Sequence, residues 1–552
     1  MNKLVLAATF AALSLPAVSL GDEAEQAASP PPPGHICGQV AAPGAPEHKP
    51  PVMLDGFGTG GFPIRTADPH AQRWFDYGMK LAHAFNHQPA TDAFAEGSRI
   101  DPNCAMCAWG EAWSMGPTIN FDIDDKARAR AAELAAKAVV LAEGGPEKER
   151  MLAEALKTRY DPALGKGAYK AFAQAMDKVA ARFPTDNEIA VVTADAWMIA
   201  LPEDRIAQNH AMDLLGAALK RNPDDTGAIH FYIHVTEFAG VPGYALPYAK
   251  RLGELAPAAA HLVHMPSHTF IHVGLYQDAA DVNASASDAD KAFLAHGGSG
   301  ALWENSYHAH NVNFGLAGAM LSGDAKTALA FADELAGRPQ PLDPKNAWPQ
   351  ISSSKRYFAY GRWAEPDQVL AMPDPGAKVP FARAMWRYAR GEAYARKGDA
   401  AAVLAEARAM QRADADLAAL GQSRTEAEHL IAVARGVLEG RAAMLQGRWE
   451  QAANAFKDAL AVQDAYMAKS WDPPDWWYPV RRSIAEAELK AGRIDQAERD
   501  AQTVLKTWPN DGVTEKVLAD VDKARGRDGK AWLDKAKSQW KGEVAAIGPA
   551  GV

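Results

Sequence analysis

Apolar residues recur with a period near 3.6 over long tracts of this chain, as in RARAAELAAKAVVLAE at 128–143 and YKAFAQAMDKVAARF at 169–183. That spacing places them on one face of a helix. The tracts are rich in Ala, Leu, Glu and Lys, which lose little side-chain freedom on entering a helix. No tract alternates apolar and polar residues over the length of a strand, so the pattern predicts an all-α fold.

A longer period lies over the first. GLYQDA at 274–279, GDAKTA at 323–328, GRWEQA at 447–452 and GRIDQA at 492–497 each pair a glycine with an alanine five residues later. Glycine permits a tight turn, and the small alanine lets the second helix approach the first, so each phrase predicts a helical hairpin. With RYARGEAYARKGD at 387–399 they resemble tetratricopeptide repeats (TPR), although the spacings are longer than the ~34 residues of that repeat. The expectation is a superhelical array of antiparallel helical hairpins, an N-terminal array over 62–335 and a C-terminal one over 350–545. In such an array the first helix of each hairpin lines the concave surface.

Residues 1–20 contain Lys3, an apolar run and the small-residue stretch Ala17-Val18-Ser19, the pattern of a cleaved signal peptide, with a Pro-rich irregular lead over 21–61. A periplasmic or secreted location is expected, with no transmembrane segment. The net charge of −10 comes without a basic cluster, which argues against a nucleic-acid partner.

The histidines change the picture. HFYIHVTE at 230–237 and HLVHMPSHTFIH at 261–272 hold six of the 16 histidines in the chain. His230, His234 and Glu237 fall on one helical face, as do His261, His264, His268 and His272. Both segments are expected as first helices of adjacent hairpins, side by side on the concave surface. That crowding predicts a mono- or dinuclear metal site, since imidazole suits copper, iron, nickel and zinc. His308 and His310 in SYHAHNVNF offer further ligands, and the pair His83 and His87 would join them if the array curls far enough. Glu237 is either a ligand, an orienting partner of a ligand, or a base toward metal-bound water, and Glu111 is a second candidate base. HFYIH is not H-E-x-x-H, so the glutamate of a zinc protease is missing from its place.

Cys37, Cys104 and Cys107 complete the inventory. In an oxidising compartment a disulfide is expected, either within CAMC or from Cys37 to one of its members, and Cys104 with Cys107 also suits a redox or metal role.

HFYIHVTE, GYALPYAKRLGELAPAAAHLVHMPSHTFIHVGLYQDA, WGEAWSMGPTIN and PPDWWYPVRRSIAEAELKAGRIDQAE, all within residues 70–520, resemble a group of exported bacterial TPR-like proteins of poorly defined function. The resemblance implies recurring residues at His83, Trp109, Gly110, His230, His234, Glu237, His264, Met265, His268 and His310; His272 departs from the pattern, where arginine is common. It leaves substrate and reaction open. Two functions follow as expectations. The first is a metalloenzyme with a copper or iron centre, or zinc, on the concave face, in which oxidative chemistry on a small molecule or peptide is favoured over hydrolysis. The second is a periplasmic scaffold for protein partners, or a protein that stores or delivers metal.

Overall fold

The computed structural model describes residues 51–542 apart from 299–300, 304–305, 340–341, 412–416, 418–419, 421–423, 468–471 and 474. The signal segment, the lead up to residue 50 and Cys37 lie outside the described residues. The described chain is all-α and TPR-like. Its first half comprises α1 (Pro69–His83), α2 (His87–Ile100), α3 (Ala105–Ser114), α4 (Asp125–Ala142), α5 (Glu147–Arg159), α6 (Ala168–Arg182), α7 (Asn187–Ala200), α8 (Arg205–Arg221), α9 (Thr226–Phe238), α10 (Leu246–Leu255), α11 (Ala260–His264), α12 (Pro266–His272), α13 (Tyr276–Ala295) and α14 (Ser306–Ser322). Its second half comprises α15 (Ala325–Ala336), α16 (Ala347–Ser354), α17 (Arg356–Trp363), α18 (Pro366–Ala371), α19 (Pro380–Arg396), α20 (Ala400–Gln411), α21 (Arg424–Leu445), α22 (Trp449–Tyr466), α23 (Arg481–Lys490), α24 (Ile494–Thr507), α25 (Gly512–Ala524) and α26 (Lys530–Gln539). Among the described residues no helix is long and apolar enough to cross a membrane.

Successive helices pack antiparallel because short capped turns join them. Asp68, Asp124, Asp186, Asp204, Asp225, Asp324 and Asp511 each accept a backbone N–H of the helix they precede, which satisfies donors that the helix itself leaves free. The glycines at 274, 323, 398, 447 and 492 all adopt positive φ, between 69° and 77°, as their place in a hairpin turn requires. One apolar core spans residues from Phe57 to Phe314. A second runs from Ala280 to Ala487, and a third, smaller one lies between Ala485 and Trp540. Packing continues through the linker after residue 335, with α15 against α17 and α14 against α16.

Two departures from the sequence reading stand out. The end of the lead packs. Phe57 is buried, the backbone N–H of Thr59 donates to Thr226 Oγ1 at 2.9 Å, and Gly56 accepts from Ala258 N at 2.9 Å. DGFGTGGF is glycine-rich because its backbone lies directly on other elements; a Cβ at Gly60 would stand 2.8 Å from Lys80 N. The second departure is long-range. The C-terminal helices return to the middle of the chain, where Asn510 Nδ2 donates to Gly274 O at 3.3 Å across 236 residues and Lys541 N donates to Ser322 O at 2.8 Å.

Candidate metal centre

The two histidine segments do lie side by side. Asp225 caps α9 and fixes its start, and α10 returns the chain so that α11 and α12 run beside α9. Pro266, which has no N–H to donate, interrupts the hydrogen-bond ladder between α11 and α12, while Met265 keeps helical angles (φ −50°, ψ −36°). The helical course therefore continues through the break. α14 adds His310.

Three clusters of potential ligands result: His230, His234 and His261; His264, His268 and His310; and His234, Glu237 and His268. Within each, one ligand atom per residue lies within 4.8 Å of the others. The two all-histidine trios adjoin, with ring centroids 5.4 Å apart for His261 and His264 and 5.1 Å for His234 and His268.

The second trio is the better ordered. His264 Nε2 lies 3.1 Å from His268 Nε2 and 3.1 Å from His310 Nε2. Two nitrogens bound tetrahedrally at ~2.0–2.1 Å would stand ~3.3 Å apart. The opposite nitrogens turn outward to acceptors: His264 Nδ1 to Asn283 Oδ1 at 2.7 Å, His268 Nδ1 to Glu237 Oε2 at 3.0 Å and His310 Nδ1 to Asp472 Oδ2 at 3.4 Å. Acceptors there place a proton on each Nδ1, so that in the neutral form of each ring the three Nε2 lone pairs are aimed at one point. Uncompensated, three converging lone pairs repel; a cation turns them into a ligand set.

In the first trio His230 Nε2 stands 3.2 Å from His261 Nε2, and His230 Nδ1 donates to the backbone carbonyl of His83 at 2.6 Å. That carbonyl is available because α1 ends there, and the last carbonyls of a helix lack partners within it. The turn that follows places Phe85 at φ +55°, with Asn86 N bonded back to Leu81 O at 2.9 Å. This is a position glycine usually takes. Phe85 then packs its ring on His230 (centroids 4.4 Å) and stacks on His261 (4.9 Å). His234 Nε2 and His261 Nδ1 are buried with no hydrogen-bond partner among the described residues.

Burial governs the protonation of these groups. It pushes His230 down to about 3 and His234, His261 and His264 well below the ordinary imidazole value, and neighbouring imidazoles add to the effect. They are neutral, the form that binds metal. His268 differs: burial opposes its charge, but Glu237 outweighs burial and holds it above the ordinary value. Burial likewise opposes ionisation of Glu237, and His268 and His272 together bring its carboxyl below the usual range.

His230, His234, His264, His268 and His310 come together, and His261 completes the first trio. Its place on the face of His264 was the available signal. His83 and His87 do not join. His83 Nε2 is 2.7 Å from Glu188 Oε2, so only its backbone carbonyl serves the centre, and His87 packs at a tilt against Phe85, ring centroids 5.2 Å apart. His308 faces the other side of α14, 2.9 Å from Asp290. Glu111 lies 3.6 Å from the Arg130 guanidinium and belongs to none of the three clusters. Glu237 has its oxygens on His268 and on His272, whose Nε2 is 3.0 Å from Oε1. That occupancy suits an orienting partner better than a free base. Cys104 and Cys107 form a disulfide, both buried. Trp109 packs on Trp113 and donates to Leu152 O at 3.1 Å. Asn283 and Asp472 were not marked from sequence, because nothing local distinguishes them from other polar residues.

No protein-family model matches the chain, and no curated protein matches it. Among solved structures it is similar to the human IFIT1 dimer with m7Gppp-AAAA, at 12% identity over 88% of this chain and 92% of that one, with a TM-score of 0.31. The APC/C hetero-tetramer Cut9-Hcn1 matches at 13% identity over 87% and 95%, TM-score 0.23. The P58(IPK) TPR domain matches at 13% identity over 83% and 98%, TM-score 0.21.

Proposed function

We propose that this chain is an exported TPR-like metalloprotein with a dinuclear centre, one ion held by His230, His234 and His261 and the other by His264, His268 and His310. The observation that supports it most is the convergence of three Nε2 atoms whose outward nitrogens each meet an acceptor. Copper fits this donor set better than iron, because paired iron sites in helical proteins draw on glutamates whereas both trios here are wholly imidazole. Two copper ions would supply electron exchange with dioxygen, which supports oxidative chemistry over hydrolysis. The chain's own contribution would be to keep His230, His234, His261 and His264 neutral, to fix ring directions through Asn283, Glu237, Asp472 and the His83 carbonyl, and to exclude water with Phe85, Tyr307 and Phe314.

A second reading has the repeat fold behind it: an array of helical hairpins is equally a scaffold for protein partners, and metal storage or delivery would use the same histidines. Oxygen consumption by copper-loaded protein with a panel of organic reductants separates the three. The proposal expects turnover in the wild type and its loss in His268→Ala at unchanged helix content. Stoichiometric copper without oxygen consumption favours storage, and no metal uptake favours the scaffold.

A further inference from the structure

A cavity of about 490 Å³ opens beside the second trio, between the end of α12 and the helices α22, α23 and α24. Its volume falls in the ~300–1,000 Å³ range of small-molecule sites. Leu460, Met467, Val504 and Trp508 give it an apolar wall. His272 and Asp472 form the side toward the histidines. Each is one polar contact from the centre: His272 meets the supporting Glu237 at 3.0 Å, and Asp472 meets His310 itself at 3.4 Å.

Charge selects the occupant. Arg481 also lines the cavity, but its guanidinium is engaged at 3.1 Å by Asp464 and at 3.0 Å by Asp500. Asp472 gives Oδ2 to His310 and has 54% of its side chain exposed; among the described residues it has no ion-pair partner beyond His310, and the nearby Lys355 is engaged at 2.7 Å by Asp475. An apolar wall beside a part-exposed carboxylate suits a flat apolar body with a positive end.

We infer that, given the metal reading above, this cavity is the substrate pocket of the centre and takes a small aromatic molecule bearing a primary amine. The ring lies along Leu460, Met467 and Trp508, and the ammonium meets Asp472.

Isothermal titration with tyramine and with 4-hydroxyphenylacetate, which share a ring and differ in the charge of the tail, tests this on full-length protein whose metal content is measured in the same samples. Tyramine should bind at least about tenfold tighter. Thr507→Trp, at an exposed position on the cavity rim, should abolish its binding while metal content stays unchanged, and Asp472→Asn should erase the preference between the two probes. Equal affinity for both probes, or full tyramine binding in Thr507→Trp, overturns the assignment. Full-strength tyramine binding to protein that takes up no metal breaks the link to the centre and identifies the metal reading as the part that failed.

Discussion

At the scale of single residues, the centre depends on groups that never touch a metal. Asn283 is fully buried on α13, donates through Nδ2 to Ala279 O at 2.7 Å and so presents Oδ1 to His264. Replacing it by alanine removes the acceptor that fixes the ring and its tautomer. Asn283→Ala should weaken copper binding at the second trio by ~10–100-fold at unchanged helix content, measured by competition with a chelator; unchanged affinity would remove Asn283 from the account. Asp195 shows what burial does without a dedicated partner. It lines a small cavity with His87 and Arg159, and burial pushes its carboxyl up to about 6 against the pull of Arg159 and His83. The folded chain keeps this proton to a higher pH than the unfolded chain, whose carboxyl titrates near ~3.9. Its effect on stability is therefore most favourable at low pH, declines as pH rises from ~4 toward 6, and is constant above that. Asp195→Asn should stabilise the protein by ~1–3 kcal/mol at pH 7 and by nothing measurable near pH 4, as read from urea unfolding at both.

At the scale of elements, the hairpin turns are where sequence and structure agree most directly. Gly274 ends α12 with φ +77°, and a Cβ there would come within 2.2 Å of the Pro509 carbonyl oxygen. Gly274→Ala combines an unfavourable backbone with a clash against an element more than two hundred residues away. A loss of at least ~2 kcal/mol is expected, seen as a lowered thermal midpoint; an unchanged midpoint would mean that the contact with Pro509 does not form. The glycine could be read from the sequence as a turn because the demand for positive φ is local. Its contact with Pro509 could not, because it depends on how the whole array curves. The same distinction holds in the centre. The i, i+4 spacing of His230 and His234 and of His264 and His268 gave a common face, which is a property of one helix. That His83 offers a carbonyl while its ring turns to Glu188 depends on neighbours from distant parts of the chain, whereas His308 and His310, two residues apart on α14, point to opposite sides by helix geometry alone. Phe85 in a left-handed turn was hidden for a further reason: the turn chemistry asks for glycine, and packing among the imidazole rings overrides it.

At the scale of the whole molecule, the centre gathers α1, α9, α11, α12, α13, α14 and the segment around Asp472, so it exists only when the array from residue 83 to residue 472 is folded. Metal that binds the folded form alone stabilises all of these elements together. The two trios are unequal: every histidine of the second has an outward partner within 3.4 Å, whereas His234 and His261 in the first have unpartnered nitrogens, so the second trio should fill first. The most direct test is the amount of copper retained per chain, by mass spectrometry, in wild-type protein, His234→Ala and His268→Ala, purified without an affinity metal column and reconstituted under identical conditions. Two histidine trios should hold about two equivalents in the wild type and about one in His234→Ala, at the intact second trio. His268→Ala should retain at most one, bound more weakly. Full wild-type stoichiometry in both variants, or no copper in any of the three, would contradict a metal centre built on these six histidines.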